Sequence, residues 1–482
     1  MRLPKILVLL LALLLCLAGC KSDPPEAKIE ELALVLTDAD ISQLEKYPNL
    51  KKLDLTGSTC YDAIESYIAA HPEVEVIYTV SLGGREYAPD VTELTLQPAE
   101  FNLEELLSVL PHLPKVTGID MTGTVLTPEE LAQFPDGVTL RYSVDILGQP
   151  VEPSVTELDL SGLTPENLDA VMHQMTLLPG LTSAELMDAS GCSALSPVDV
   201  KKLQDAFPGV FFHYSFDLFG QTLSTDQESV VYLDAPIGNG GEAEIRQALD
   251  ILTNCTYFKL DDCGIDSEVM AAIRNDYPEV KVVWRIYCGR FSMCTDETMV
   301  RMTHGLDDTN CHELRYCTDV TYMDLGHNET LTDVSFVEYM TKLECVIISG
   351  SSVSDISAFA DHDSLEFLEL CYCGHLQDIS MLDTCDNLKY LNISFTKVSD
   401  ISSLENLPLE RFNSMQNKVS AASQAKFNEW HPDCLSRFTG KQPYGYGWRY
   451  IDNGVTYNDY YANMRIVFRY DDENYRGNYK NR

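Results

Sequence analysis

The sequence predicts an α/β fold, a solenoid of stacked repeats with short strands and intervening helices or turns. A leucine-type motif recurs about every 22 residues between residues 320 and 417. An Asp-Ile-Ser or Asp-Val-Ser step recurs between the copies of that motif. A longer repeat of about 70 residues runs through the stretch before residue 300. Fixed periods of this length are typical of stacked supersecondary units, each of which buries its edges on its neighbours.

Composition excludes several classes of protein. The chain has 482 residues with 74 acidic and 34 basic side chains, so its net charge is −40, and 45% of its residues are hydrophobic. That hydrophobic content is too high for a disordered chain. Nucleic acid and bare anionic membrane both need a basic surface. We therefore expect no nucleic-acid partner, and a neutral or basic partner is favoured.

The N-terminus carries a targeting signal. Arg2 and Lys5 precede an apolar run from residue 6 to residue 17, which is too short to span a bilayer. The run ends in Leu-Ala-Gly-Cys, which resembles a bacterial lipobox. The resemblance implies a lipoprotein signal peptide over residues 1–19, a lipid on Cys20, a tether over residues 20–30 and a location on the extracellular face of the cell membrane. A plain secretory signal that happens to end in Cys is the alternative.

Residues 31–300 are interpreted as long, irregular modules of three coils each. Each module begins with an aromatic-Pro or His-Pro pair, continues with an alternating strand and then reaches a glycine. Amphipathic helices are predicted over residues 165–177, 197–206, 242–252 and 267–276, with Ser196 as one N-cap. The short steps at residues 74–91 and at the equivalent positions fit either a coil or a hairpin arm.

Residues 301–430 are predicted to form the regular 22-residue repeats. Counting from Val320 as position one, the first, fourth and sixth positions of each motif are apolar. The ninth position needs a small hydrogen-bonding residue where the chain leaves the strand. In successive copies it is Asn328, Ser351, Cys373, Thr396 and Asn417.

These motifs resemble the bacterial leucine-rich repeats of internalin type. The stretches 277–284 and 314–328 are also similar to pieces of clostridial surface proteins with leucine-rich repeats. The resemblance implies an α/β, right-handed curved leucine-rich repeat solenoid with a parallel sheet on the concave face and helices or short turns on the convex face. It also implies that the concave face binds other macromolecules, and it implies no catalytic role.

Residues 431–482 depart from the repeat pattern and are predicted to be a Tyr-rich C-terminal cap and tail. From residue 441 onward the chain holds nine Tyr, and seven Lys or Arg face five acidic residues. Solenoids require a cap over their last coil. A Tyr-rich adhesive tail is the alternative.

No catalytic motif, phosphate-binding loop or zinc-type Cys/His spacing occurs in the sequence. We therefore predict a protein that is not an enzyme and that has no cofactor, metal or catalytic residue. A structural spacer of the cell envelope and an unrecognised hydrolase are the alternatives.

The predicted binding site is the strand-exposed face of the regular repeats. Outward positions between buried ones line up across neighbouring coils, and aligned aromatic side chains are enriched in interfaces. The residues expected to bind a protein, peptide or glycan are Tyr322, Asp324, His327, Phe367, Glu369, Tyr372, Tyr390, Asn392 and Phe395. Stacking of these rings for stability alone is the alternative interpretation.

Overall fold

The computed structural model describes residues 25–37, 40–445, 447–452 and 454–480. The predicted signal peptide and Cys20, together with the first residues of the tether, lie outside the described residues. The chain divides into two compact units, Met1–Ser215 and Phe216–Arg482. Both are α/β, and both contain parallel sheets, as the sequence predicts.

The first unit consists of short parallel sheets interrupted by hairpins. Its sheets have the orders β1-β2-β3, β6-β7-β8-β9 and β10-β11-β12, and β4 and β5 form a two-stranded hairpin. The strands are β1 Glu31–Ala33, β2 Lys52–Asp54, β3 Glu75–Ile77, β4 Val80–Leu82, β5 Arg85–Tyr87, β6 Glu93–Thr95, β7 Gly118–Val125, β8 Thr139–Ile146, β9 Gln149–Val151, β10 Glu157–Asp159, β11 Ser183–Glu185 and β12 Phe211–His213. The α-helices are α1 Tyr61–Ala70, α2 Leu103–Val109, α3 Pro128–Leu131, α4 Leu168–Met175 and α5 Pro197–Ala206.

Two-residue turns after the third strand of a module produce antiparallel hairpins. At Leu147-Gly148, between β8 and β9, both residues have positive φ, 52° and 79°. Positive φ at both central residues defines the turn that matches the right-handed twist of two paired strands. The segment after Val74 likewise contains the hairpin β4–β5. The segment 74–91 thus contains both a strand of the parallel sheet, β3, and a hairpin, and the side chains of Val80 and Leu82 in that hairpin are buried.

The second unit contains a four-stranded sheet, β15-β16-β17-β18, and a seven-stranded parallel sheet, β19 to β25 in chain order. Its strands are β13 Ser215–Leu218, β14 Gln221–Ser224, β15 Ser229–Leu233, β16 Tyr257–Asp261, β17 Lys281–Cys288, β18 Phe291–Cys294, β19 Met299–Arg301, β20 Tyr322–Asp324, β21 Cys345–Ile347, β22 Phe367–Glu369, β23 Tyr390–Asn392, β24 Arg411–Asn413 and β25 Leu435–Arg437. Its α-helices are α6 Glu242–Ile251, α7 Ser267–Asp276, α8 Ala421–Trp430 and α9 Asp459–Val467.

The predicted helices over residues 197–206 and 267–276 are confirmed residue for residue as α5 and α7. Ser196 caps α5 through a hydrogen bond to the N–H of Asp199, and Asp199 bonds back to the N–H of Ser196. This reciprocal arrangement satisfies two backbone donors that the first helical turn leaves open.

The regular coils stack in register. The fourth-position side chains, Met323, Val346, Leu368, Leu391 and Phe412, pair across neighbouring strands and are fully buried in the core. The ninth-position ladder closes each coil. Asn328 donates from Nδ2 to the carbonyl oxygens of Met302 and Leu325, both at 2.8 Å, and accepts from the N–H of Leu306 at 2.8 Å. The ladder thus supplies the hydrogen bonds that the turning backbone lacks.

Each Asp-Ile-Ser step forms a small local turn. The carboxylates of Asp355, Asp378 and Asp400 accept from the backbone N–H two residues later at 2.8 to 2.9 Å. The Ile of the step is buried in each case. The step therefore starts the return segment and anchors it to the core.

Candidate binding face

The outer face of the seven-stranded sheet is formed by the third and fifth positions of each motif, which flank the buried fourth position. We call residues 441–480 the C-terminal tail. The tail includes α9 and lies across this outer face, where Trp448, Tyr461, Met464 and Phe468 are buried together with Cys345, Ile347 and Phe367. Beside β24, the core aromatic Phe412 packs against Phe427 of α8 and against Phe438, which lies in the predicted cap segment 431–482.

The third-position aromatics stack on the tail. Phe367 is buried, and its ring centroid lies 5.0 Å from that of Trp448 and 5.1 Å from that of Tyr460. Tyr390 stacks on Tyr460 at 4.5 Å, and Tyr322 meets the edge of Phe468 at 5.9 Å. Burial raises the pKa of both Tyr322 and Tyr390 to about 12. These side chains face a covering layer of the same chain, whereas the sequence pattern placed them in solvent.

The fifth-position carboxylates are buried under the tail and bonded to it. Asp324 accepts from the Tyr470 hydroxyl at 2.6 Å and from the N–H of Gly326 at 2.9 Å. Burial raises the pKa of Asp324, and these two hydrogen bonds oppose that effect.

Glu369 is 1% exposed and has three donors. It accepts from the Ser349 hydroxyl at 3.0 Å, from the indole N–H of Trp448 and from Arg449 at 3.2 Å. Both buried carboxylates are therefore compensated, as burial of charge requires.

Asn392 is also buried. Its amide N–H donates to the carbonyl oxygen of Pro443 at 3.2 Å, and Asn413 of the next strand donates to the same oxygen at 3.0 Å. Together with Asp324, Phe367 and Glu369, Asn392 was expected on an open surface, and all four are buried. The strand alternation correctly separates their face from the core. It carries no information about a segment that packs on that face from farther along the chain.

The eighth positions form an exposed row beside the tail. We call this row the eighth-position ridge; it consists of His304, His327, Gly350, Tyr372, Phe395 and Gln416. All six residues have positive φ, between 60° and 75°. His304 stacks on His327 at 4.9 Å, and Tyr372 stacks on Phe395 at 4.6 Å. His327 and Tyr372 are exposed and Phe395 is half-buried, so three of the nine predicted binding residues remain accessible.

The buried thiols are not activated nucleophiles. Burial raises the pKa of Cys288 and Cys311 to about 12 and that of Cys294 to about 11. Nucleophilic cysteines need a lowered pKa instead.

Asp62, Glu65 and His112 of the first unit place ligand-type atoms within 4.8 Å of one another. His112 Nδ1 lies 2.9 Å from Glu65 Oε1, and a hydrogen bond between these two side chains accounts for the cluster. Sequence reasoning missed it because His112 is 47 residues from Glu65. Among the described residues, no helix is both long enough and apolar enough to cross a membrane.

No protein-family model and no curated protein matches the chain. Among solved structures it is similar to an internalin from Listeria monocytogenes at 15% identity and a TM-score of 0.24, covering 87% of this chain and 84% of that one. It is similar to a leucine-rich repeat protein from Leptospira interrogans at 13% identity and a TM-score of 0.26, covering 86% and 97%. Internalin C2 from Listeria monocytogenes matches 30% of this chain and 75% of its own at 22% identity and a TM-score of 0.23. At these TM-scores the likenesses carry no argument about function.

Proposed function

We propose that this chain is a lipoprotein of the extracellular cell surface that binds a protein, peptide or glycan and catalyses no reaction. In this proposal Cys20 carries the lipid and is the sole attachment to the membrane. The seven-stranded sheet is the concave side of a right-handed curved leucine-rich repeat solenoid. The net charge of −40 favours a neutral or basic partner.

The observation that carries the proposal is the strained, exposed eighth-position ridge. A bulky residue in the left-handed region costs on the order of 1 kcal/mol or more, and glycine avoids that cost. Gly350 shows that glycine fits this position, yet Tyr372 and Phe395 occupy it in the next two coils. Tyr372 is also 43% exposed. Backbone strain held beneath accessible aromatic rings is typical of a binding surface.

The tail restricts where a partner can bind. The six remaining predicted residues, Tyr322, Asp324, Phe367, Glu369, Tyr390 and Asn392, contact the tail or lie beneath it. The proposal therefore assigns partner contact to His327, Tyr372 and Phe395. Since Tyr372 also approaches Tyr444 at 6.0 Å, the tail forms one wall of the same surface.

A ridge variant tests the proposal. Cells carrying the wild-type protein are crosslinked, and the captured partner is compared with that of a Tyr372→Ala, Phe395→Ala double variant. Loss of two central aromatic contacts should weaken capture by about 30-fold or more. Tyr339→Ala is the matched control, because Tyr339 is 53% exposed and lies outside the ridge.

The double variant should keep its thermal unfolding midpoint to within a few degrees, since Tyr372 is exposed, Phe395 is half-buried and neither ring belongs to the core cluster. Undiminished capture by the folded double variant would contradict the proposed surface. If neither the wild-type protein nor any variant captures a partner, the result would favour the alternative function, a structural spacer of the cell envelope.

The anchor is tested separately. Cys20→Ser should move the protein from the membrane fraction to the medium and abolish incorporation of radiolabelled palmitate. Retention of both in the variant would contradict lipid attachment at Cys20.

A further inference from the structure

A cavity of about 240 Å³ lies between the outer face of the seven-stranded sheet and the tail. Strand residues Arg301, Asp324 and Glu369 line it from one side, and Arg449, Arg465 and Tyr470 of the tail line it from the other. It is separate from the rings of Tyr372 and Phe395, and His327 is the ridge residue that borders it.

The two carboxylates in the wall already accept hydrogen bonds from the protein. Asp324 binds two donors and Glu369 binds three, all from the protein. A cationic ligand would compete with these bonds. The acidic groups of the cavity are therefore structural partners of the tail.

The guanidinium groups have donors to spare. A guanidinium has five N–H donors. Arg449 donates one of these N–H groups to Glu369 and lies over the ring of Tyr444, with its Cζ 4.1 Å from the ring centroid. Its Nε is shielded from solvent and has no hydrogen-bond partner among the described residues. A buried donor without an acceptor is costly unless a ligand or water supplies one.

Arg301 and Arg465 add positive charge to the same space. Arg301 donates from Nη1 to the carbonyl oxygens of Phe468 and Arg469 at 3.1 and 3.2 Å, and its charge also favours the ionised form of Asp324 in the same wall. Arg465 pairs with Asp471, whose side chain is 70% exposed, and solvent weakens that pair. The wall thus carries three guanidiniums against two carboxylates, in a chain whose net charge is −40.

We propose that this cavity binds a small organic oxyanion, a carboxylate of about the size of a four-carbon diacid, through Arg449 and Arg465. Guanidinium groups recognise carboxylates by paired, charge-assisted hydrogen bonds. The site shares His327 and Tyr444 with the proposed partner surface, whereas Tyr372 and Phe395 do not line it.

Isothermal titration of the full-length protein with succinate tests the site, and succinamide serves as the uncharged analogue of the same shape. Succinate should bind at one site with a Kd of about 1 mM or below, and succinamide should bind at least about tenfold more weakly. Absence of saturable succinate binding, or equal binding of succinamide, would overturn the proposal.

Two substitutions locate the binding. Arg465→Met should weaken succinate binding by about tenfold or more, because a charge-assisted hydrogen bond is lost. Arg469→Met is the matched control. Arg469 belongs to the same tail, but it pairs with Asp472 and does not line the cavity. An equal loss in both variants would overturn the assignment.

If Arg465→Met does not fold, Thr303→Leu replaces it. Thr303 lines the cavity and is only half-buried. The larger apolar side chain should fill the space and reduce succinate binding to a similar extent, with the unfolding midpoint without ligand as the check on folding. Unchanged binding in the folded Thr303→Leu variant would also count against the site.

Discussion

Trp448 anchors the tail on the outer face, and its replacement tests how firmly the tail is held. Its side chain is 2% exposed, packs at a tilt against Phe367 with 5.0 Å between the ring centroids, and donates its indole N–H to Glu369. Removing a buried Trp ring costs about 3 to 5 kcal/mol. Taking a donor from a buried carboxylate costs about 1 to 3 kcal/mol more. Trp448→Ala should therefore lower the free energy of holding the tail by at least about 4 kcal/mol.

The assay is native-state hydrogen exchange of the amides of α9, Asp459–Val467. Because a tail can open without unfolding of the coils, local exchange measures this loss directly. Trp448→Phe keeps most of the ring without the N–H, so it should lose only about 1 to 3 kcal/mol, the hydrogen-bond part. Trp430→Ala is the control outside the tail, since Trp430 is half-buried on α8. Protection of α9 in Trp448→Ala within about 1 kcal/mol of wild type would refute the reasoning.

Three further predictions follow from the coils. The carboxyls of the Asp-Ile-Ser steps are Asp355, Asp378 and Asp400, and hydrogen bonds, first from the backbone N–H of the Ser two residues later, lower their pKa. The stabilisation they contribute is therefore present above the unfolded pKa of 3.8 and is lost as pH falls through the folded pKa values. Replacing all three by Ala should flatten the pH dependence of the free energy of urea unfolding below about pH 4. Unchanged acid sensitivity would contradict this. In iodoacetamide pulse labelling read by mass spectrometry, the exposed Cys192 should react well before Cys345, because burial raises the pKa of Cys345 far above its usual value. Simultaneous labelling of the two thiols would contradict this order of reactivity. Asn328→Ala should cost about 2 kcal/mol or more in urea unfolding, because buried backbone groups lose their partners, and a cost below about 0.5 kcal/mol would disprove that role.

The sequence predicts the regular coils well because their signals are local. The ninth-position ladder and the Asp-Ile-Ser step both act within one or two coils, at separations such as the 22 residues between Leu306 and Asn328. The helix cap at Ser196 likewise depends only on a hydrogen bond to Asp199, three residues later in the chain. Such short-range hydrogen bonds leave a periodic trace that is readable in the chain.

The covering of the outer face leaves no such trace. Trp448 meets Glu369 across 79 residues, and Tyr470 meets Asp324 across 146. Nothing in the spacing of the repeats indicates which strands these tail residues reach. The available signal was compositional, because a basic, Tyr-rich segment follows acidic and aromatic strand positions. Charge and ring complementarity between the two would have suggested the pairing.

The tail also changes how the coils unfold. In a plain solenoid each coil contacts only its neighbours, and the ends fray independently. Here Arg411 on β24 donates to the carbonyl oxygen of Gly447 at 2.9 Å. At the other end of the same sheet, the N–H of Arg301 on β19 donates to the side chain of Asn478 at 2.6 Å. A single covalent segment thus joins the first coil to the sixth, so loss of either one loosens the other, and the coils between them are expected to melt as one cooperative unit.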